Sequence, residues 1–172
     1  MAKEQYRDIE LVDGRVVRLY HPPYMRIQED VRKRLPEPQP PVVTETTKAG
    51  KEVSITLKAD PAYVAEYAAW EEEFDQQVDQ MGSLFMFKDV VVPDDWDVEA
   101  EVGAEMRYFN PDWAPREGPI GRKLDYIQWT ILAHGADVRL VTRTLAEMSG
   151  VDLEEVNANE ASFPGQVEEP TA

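Results

Sequence analysis

Two histidines, four serines and 34 carboxylates are the side chains of this 172-residue chain best equipped for chemistry, since it contains no cysteine. Cysteine's absence removes disulfides, thiol nucleophiles and thiolate metal sites. His21 and His134 lie far apart and form no His-x-x-x-His or His-Glu-x-x-His spacing, so a zinc site has no template. His21 precedes Pro22-Pro23 and reads as a strand exit. His134 reads as the C-terminal end of a helix, where an imidazolium suits the dipole. Ser54, Ser83, Ser149 and Ser162 all lie outside any nucleophile elbow. No Gly-x-Gly-x-x-Gly and no Walker A sequence is present to cradle a phosphate. Asp94-Asp95-Trp96-Asp97 is the best cluster for a hard cation, yet it lacks the glycine and distal glutamate of an EF-hand loop. A solvated acidic turn is the simpler reading. The chain is therefore expected to be no enzyme and to need no cofactor or metal.

Charge is the most unusual total. Eighteen basic and 34 acidic side chains give −16. Residues 1–35 carry eight bases and six acids, whereas residues 60–105 carry 14 acids against one base, Lys88. A segment at −13 repels phosphate backbones, which disfavours nucleic acid as a partner. The acids either keep the surface dispersed or steer a basic partner toward it. The densest apolar runs, such as Ile131-Leu132-Ala133, are far short of a membrane span, and Met-Ala-Lys-Glu-Gln-Tyr-Arg is no secretory leader. A cytoplasmic address and no membrane partner are the expectation.

The elements follow from periodicity and punctuation. Residues 8–20 alternate apolar and polar side chains around Asp13-Gly14, a pair that tolerates the positive φ of a type I′ turn; this is a hairpin. A short helix over 24–35 places Tyr24, Ile27, Val31 and Leu35 on one side. Pro36, Pro38, Pro40 and Pro41 stop it and extend the chain. The Pro-x-x-Pro spacing in that stretch fits either a spacer or a weak ligand for a proline-binding module. Val42-Val43 and Val53 to Leu57, around Lys48 to Lys51, make a second hairpin.

Asp60 as N-cap and Pro61 at the first helical position open the longest helix, expected to run to Met81 and stop at Gly82. Residues 84–92 are a strand or a helix end, closed by Pro93, and residues 94–119 are a long, partly irregular connection. A core helix with Ile120, Leu124, Ile127 and Ile131 on one side and Tyr126, Trp129 and Ala133 on another ends at Gly135. Asp137 caps the next, which Ser149-Gly150 closes, and Asp152 to Glu155 opens a short last helix with capping-box spacing. The fold class is α+β: N-terminal hairpins with a mainly α-helical body of about four helices. The organisation is a hairpin and short-helix region over 1–59, a helical domain over 60–163 and a disordered tail over 164–172.

Tyr63, Tyr67, Trp70, Phe74, Val78 and Met81 fall at steps of four and three along the longest helix and form one apolar stripe. Such a stripe either packs inside its own domain or offers aromatic anchors to another polypeptide. Together with Trp96 these six are the candidate partner-binding residues. If they face outward, Trp70→Ala or Phe74→Ala weakens binding and leaves the fold intact; if inward, the fold is lost. Exposed aromatic stripes also self-pair, so a homo-oligomer is open.

The order of elements resembles a known family. Asp60-Pro61-x-Tyr63, the long acidic helix, Val92-Pro93-Asp94-Asp95-Trp96, Arg122-x-x-x-Tyr126-Ile127 and the closing segment from Asp137 to Val156 with Phe163 behind it are similar to tail assembly chaperone-like proteins of long-tailed bacteriophages and prophages. The resemblance spans roughly residues 42–163. It implies a non-catalytic protein that coats the helical, apolar tape measure protein in the host cytoplasm until tube subunits replace it, with no catalytic residues to carry over. A structural tail or virion component, and an acidic mimic of nucleic acid that inhibits a DNA-binding protein, are the competing functions.

Overall fold

The structure is a computed structural model that describes residues 5–48 and 50–150. It is α+β, with two antiparallel hairpins and five α-helices in the order β1 (Tyr6–Glu10), β2 (Val16–Tyr20), α1 (Tyr24–Arg34), β3 (Val42–Thr46), β4 (Glu52–Thr56), α2 (Pro61–Met86), α3 (Ala104–Phe109), α4 (Gly118–Tyr126) and α5 (Gly135–Ser149). The described residues pack as two units, one built from the segment up to His21 together with residues 86–150, the other from Pro22–Phe85. The cuts fall at 21/22 and 85/86. The expected last helix from Asp152 and the tail over 164–172 lie outside the described residues. No helix among those described is long and apolar enough to cross a membrane.

Both hairpins turn by the same device. Gly14 donates its N–H to Leu11 O (2.9 Å) and Gly50 donates to Thr47 O (2.8 Å), each glycine at positive φ, 82° and 77°. The expected type I′ turn at Asp13-Gly14 is not formed, because that turn needs two consecutive positive φ values and only the glycine adopts one. Alternation then sends Ile9, Leu11, Val17 and Leu19 inward, where they meet Met86, Phe87, Tyr126, Ile127, Ile131 and Val141. Phe87 and Leu19 are wholly enclosed.

The helical part of this unit departs from its expected layout in two places. After Tyr126 the helix widens into a π-helical turn, Ile127–Ile131, in which Leu132 N–H reaches back five residues to Ile127 O at 2.8 Å. The carbonyl of Thr130 accepts a hydrogen bond from Arg15 Nη2 at 2.8 Å, which ties the β1–β2 turn to the widened helix. Ile120 is 65% exposed, so the inward side begins only at Leu124. The connection over 94–119 contains a second π-helical turn, Glu99–Gly103, leading into α3. Val98 and Gly103 are buried there, and Asp97 Oδ1 accepts from Glu99 N–H at 3.0 Å, enough to order a stretch whose acidity reads as irregular. Asp137 is buried and accepts Val12 N–H at 2.9 Å, fastening the β1–β2 turn to α5.

In the other unit, α1 lies on α2. Asp60 Oδ1 accepts from Ala62 N–H (3.0 Å) and Tyr63 N–H (3.1 Å), the expected cap. Ile27 and Val31 of α1 bury Trp70, Phe74 and Val78, with Leu35, Tyr67 and Met81 partly enclosed at the margin. Trp70 Nε1 donates to Leu35 O at 3.1 Å, and the Trp70 and Phe74 rings stack at 5.1 Å. Gly82 does not end α2. It sits inside the helix with the Tyr24 ring against it, so close that an added Cβ would stand 3.2 Å from Tyr24 Cε1. The missing side chain serves tertiary packing, which a local stop rule cannot register.

Phe74→Ala empties the centre of this small core. It should destabilise the protein by about 3–5 kcal/mol, the usual range for a buried phenylalanine. Urea unfolding followed by circular dichroism measures this, with exposed Glu72→Gln as the neutral control.

Candidate functional site

The structure separates the seven residues singled out as partner-binding. Trp70, Phe74 and Val78 are 9%, 6% and 7% exposed and are covered by α1. Tyr63, Tyr67 and Met81 are half-buried, with Tyr63 and Tyr67 rings 5.9 Å apart and Tyr67 and Trp70 rings 5.4 Å apart. The centre of the stripe is thus a core, because Ile27 and Val31 supply the apolar surface it needs. The exposed sides of α2 carry the carboxylates Glu66, Glu71, Glu72, Glu73, Asp75 and Asp79.

Trp96 belongs to the other unit. Its ring meets Tyr126 edge-on at 5.1 Å, and its Nε1 is buried with no hydrogen-bond partner among the described residues. The loop that carries it is held by one terminal nitrogen of Arg122, which reaches the carbonyl oxygens of Pro93 (2.7 Å), Asp94 (3.0 Å) and Trp96 (2.7 Å). Nearby, the buried carboxylate of Asp125 accepts from Arg116 N–H at 2.9 Å and from its guanidinium. A cavity of about 340 Å³ is lined by Trp96, Val98, Pro115, Arg116, Arg122 and Asp125 among others. Both arginines there are engaged in holding backbone or Asp125. No group of three or more metal-ligating side chains occurs among the described residues, and in the acidic turn Asp97 acts as a cap for Glu99.

His21 Nε2 lies 2.7 Å from Ser149 Oγ, a pair that sequence separation concealed. Ser149 Oγ already donates to Leu145 O at 2.8 Å, so it accepts from the imidazole rather than giving up its proton to it. That is the reverse of nucleophile activation. His134 occupies the N-terminal boundary of α5, where its carbonyl accepts from Asp137 and Val138 N–H, not the C-terminal end of a helix. The preceding helix closes at Ile131, too early to include it. A groove of about 550 Å³ beside β2 is lined by Asp8, Arg15, Arg18, Asp89 and Tyr126 with apolar neighbours. Its charges satisfy one another: Arg18 pairs with Asp8 at 2.9 Å, and Tyr20 Oη donates to Asp89 at 2.6 Å, which raises the phenol's pKa.

Two further exposed surfaces among the described residues combine apolar side chains with a continuous segment, and neither is singled out by the sequence. Tyr108 and Phe109, at the C-terminal end of α3, are 83% and 74% exposed and contact each other edge-on at 5.2 Å. Residues 94–112 around them hold seven acids and one base, Arg107. Arg107 binds Glu99 through both terminal nitrogens, which holds the Glu99 carboxyl below the usual carboxylate range, and its guanidinium lies 5.9 Å from the Trp113 ring centre. A sequence signal existed. Tyr108 and Phe109 are adjacent aromatics in an acidic segment, and neighbouring helical side chains diverge by roughly 100°, so burying both asks for apolar surface on two sides of the helix. The second surface is β3–β4, whose ten strand residues are all exposed, Val43, Val53 and Ile55 included.

Comparison with protein-family models, with curated proteins and with solved structures gives no match for this chain.

Arg122→Ala frees the three carbonyls of the Trp96 loop. Amide hydrogen exchange across residues 94–99 should accelerate while exchange within α5 stays as in the parent. Unchanged exchange in the loop would show that the guanidinium does not hold it.

Proposed function

We propose that this chain is a non-catalytic protein-binding protein whose contact surface centres on Tyr108 and Phe109. The observation that carries the reading is the exposure of two adjacent aromatic rings in a segment of strong negative charge. Exposing both rings forfeits their burial energy in the free monomer, and aromatic side chains are enriched where they anchor a partner. The surrounding carboxylates keep that apolar patch from aggregating and favour a partner that bears basic residues beside its apolar surface.

The finer reading is a phage tail assembly chaperone that covers the tape measure protein. It is supported by the sequence resemblance and by the match of chemistry: a long helical protein with exposed apolar side chains needs a reversible cover during assembly. The six exposed carboxylates of α2 favour a second reading, an acidic mimic of nucleic acid that occupies a DNA-binding protein. Salt separates the two. A mimic's affinity falls steeply with ionic strength, whereas aromatic coverage responds weakly.

The test is to look for a long helix-rich protein encoded immediately downstream and, where there is one, to coexpress it for a pull-down. The double substitution Tyr108→Ser, Phe109→Ser should lower affinity roughly 30-fold or more, the equivalent of about 2 kcal/mol lost at a binding hot spot, with the circular dichroism spectrum unchanged. Full retention of binding by the double variant would count against the aromatic pair. Absence of any such neighbour or of any capture would count against the chaperone.

A further inference from the structure

Among the described residues no further strand joins either edge of β3–β4, and both its faces are exposed, an arrangement of marginal stability for two strands in water. Its hydrogen-bond phase can be read from its ends. Leu57 N–H donates to Pro41 O and Thr47 N–H donates to Lys51 O, each at 2.8 Å. Bonded pairs alternate along an antiparallel ladder, so 43/55 and 45/53 are bonded within the hairpin. Glu52, Ser54 and Thr56 therefore turn their backbone N–H and C=O away from β3, as Val42, Thr44 and Thr46 do on the opposite edge.

We infer that β4 pairs antiparallel with β4 of a second copy, about a two-fold axis at Ser54. In that register Ser54 faces Ser54 and Glu52 faces Thr56, all of them outward-bonding residues, so six backbone hydrogen bonds close. Val53 is set against Ile55 of the other copy in the closer, non-bonded type of pair. Val43 follows Ile55 on the same face, which gives an apolar row across the joined sheet. The β3 edge offers no equivalent. Centred on Thr44 it would place Val43 against Glu45, an apolar side chain against a carboxylate.

Charge favours this edge over the rest of the molecule. Residues 42–58 hold Glu45 and Glu52 against Lys48, Lys51 and Lys58, close to neutral in a chain of −16. The two copies of Glu52 stand at opposite ends of the joined strands, four residues apart in register, roughly 13 Å, beyond a physiological Debye length. The hairpin is thus where two acidic copies can approach without opposing like charges.

Because the chain has no cysteine, one engineered thiol reports the register without background. Directly opposed, hydrogen-bonded residues stand about 5.5 Å apart at Cα, within disulfide reach. Mild oxidation of full-length Ser54→Cys should convert it to a disulfide-linked dimer, whereas Thr44→Cys, on the other edge, should stay monomeric. Sedimentation of the unmodified protein should show a concentration-dependent dimer. Ser54→Pro removes an outward N–H and should abolish that dimer, with the hairpin's own ladder kept. The inference is overturned if Thr44→Cys crosslinks as readily as Ser54→Cys, if Ser54→Cys stays monomeric, or if the unmodified chain sediments as a monomer throughout.

Discussion

Two aliphatic side chains, Ile27 and Val31, govern how the aromatic content of this protein is divided between inside and outside. By covering Trp70, Phe74 and Val78 they turn the richest apolar stripe of the sequence into the core of the unit formed by Pro22–Phe85. Burying those five side chains removes several hundred square ångströms of apolar surface from water, and at about 25 cal/mol per Å² that far exceeds the few tenths contributed by any exposed charge pair on α2. A partner that used this stripe would first have to lift α1 away. The aromatic side chains left accessible are those outside this core, Tyr108 and Phe109 foremost.

Charge then shapes what those surfaces can meet. The carboxylates of α2 are exposed, and seven more lie in the segment 94–112 that carries Tyr108 and Phe109. Like-charge repulsion between copies discourages the aromatic pair from burying itself in a second acidic molecule, and the same field attracts a basic one. The near-neutral β3–β4 hairpin is the exception. The two exposed surfaces of the chain thus differ in chemistry, one aromatic and acidic, the other a near-neutral strand edge.

Much of this architecture was legible because its signals are local. Glycine at a turn, Asp60 before Pro61 and Gly150 after α5 each act on backbone within a few residues, and each appears where the pattern placed it. What could not be read depends on distant partners. Gly82 looks like a helix stop until Tyr24 is known to rest on it, and α3 looks like loop until Arg107 is known to clamp Glu99. The stripe was found correctly as a stripe, but its direction was set by Ile27 and Val31, about 40 residues upstream. The aromatic pair at 108–109 was overlooked because helical periodicity rewards spaced residues, and these are adjacent.

Hydroxyl-radical footprinting of the free protein, read residue by residue by mass spectrometry, tests this division most directly. Rapid oxidation of Tyr108 and Phe109 alongside strong protection of Trp70 and Phe74 is the predicted pattern. Oxidation of Trp70 and Phe74 at rates matching the 108–109 pair would contradict it, since α1 could not then be covering the stripe.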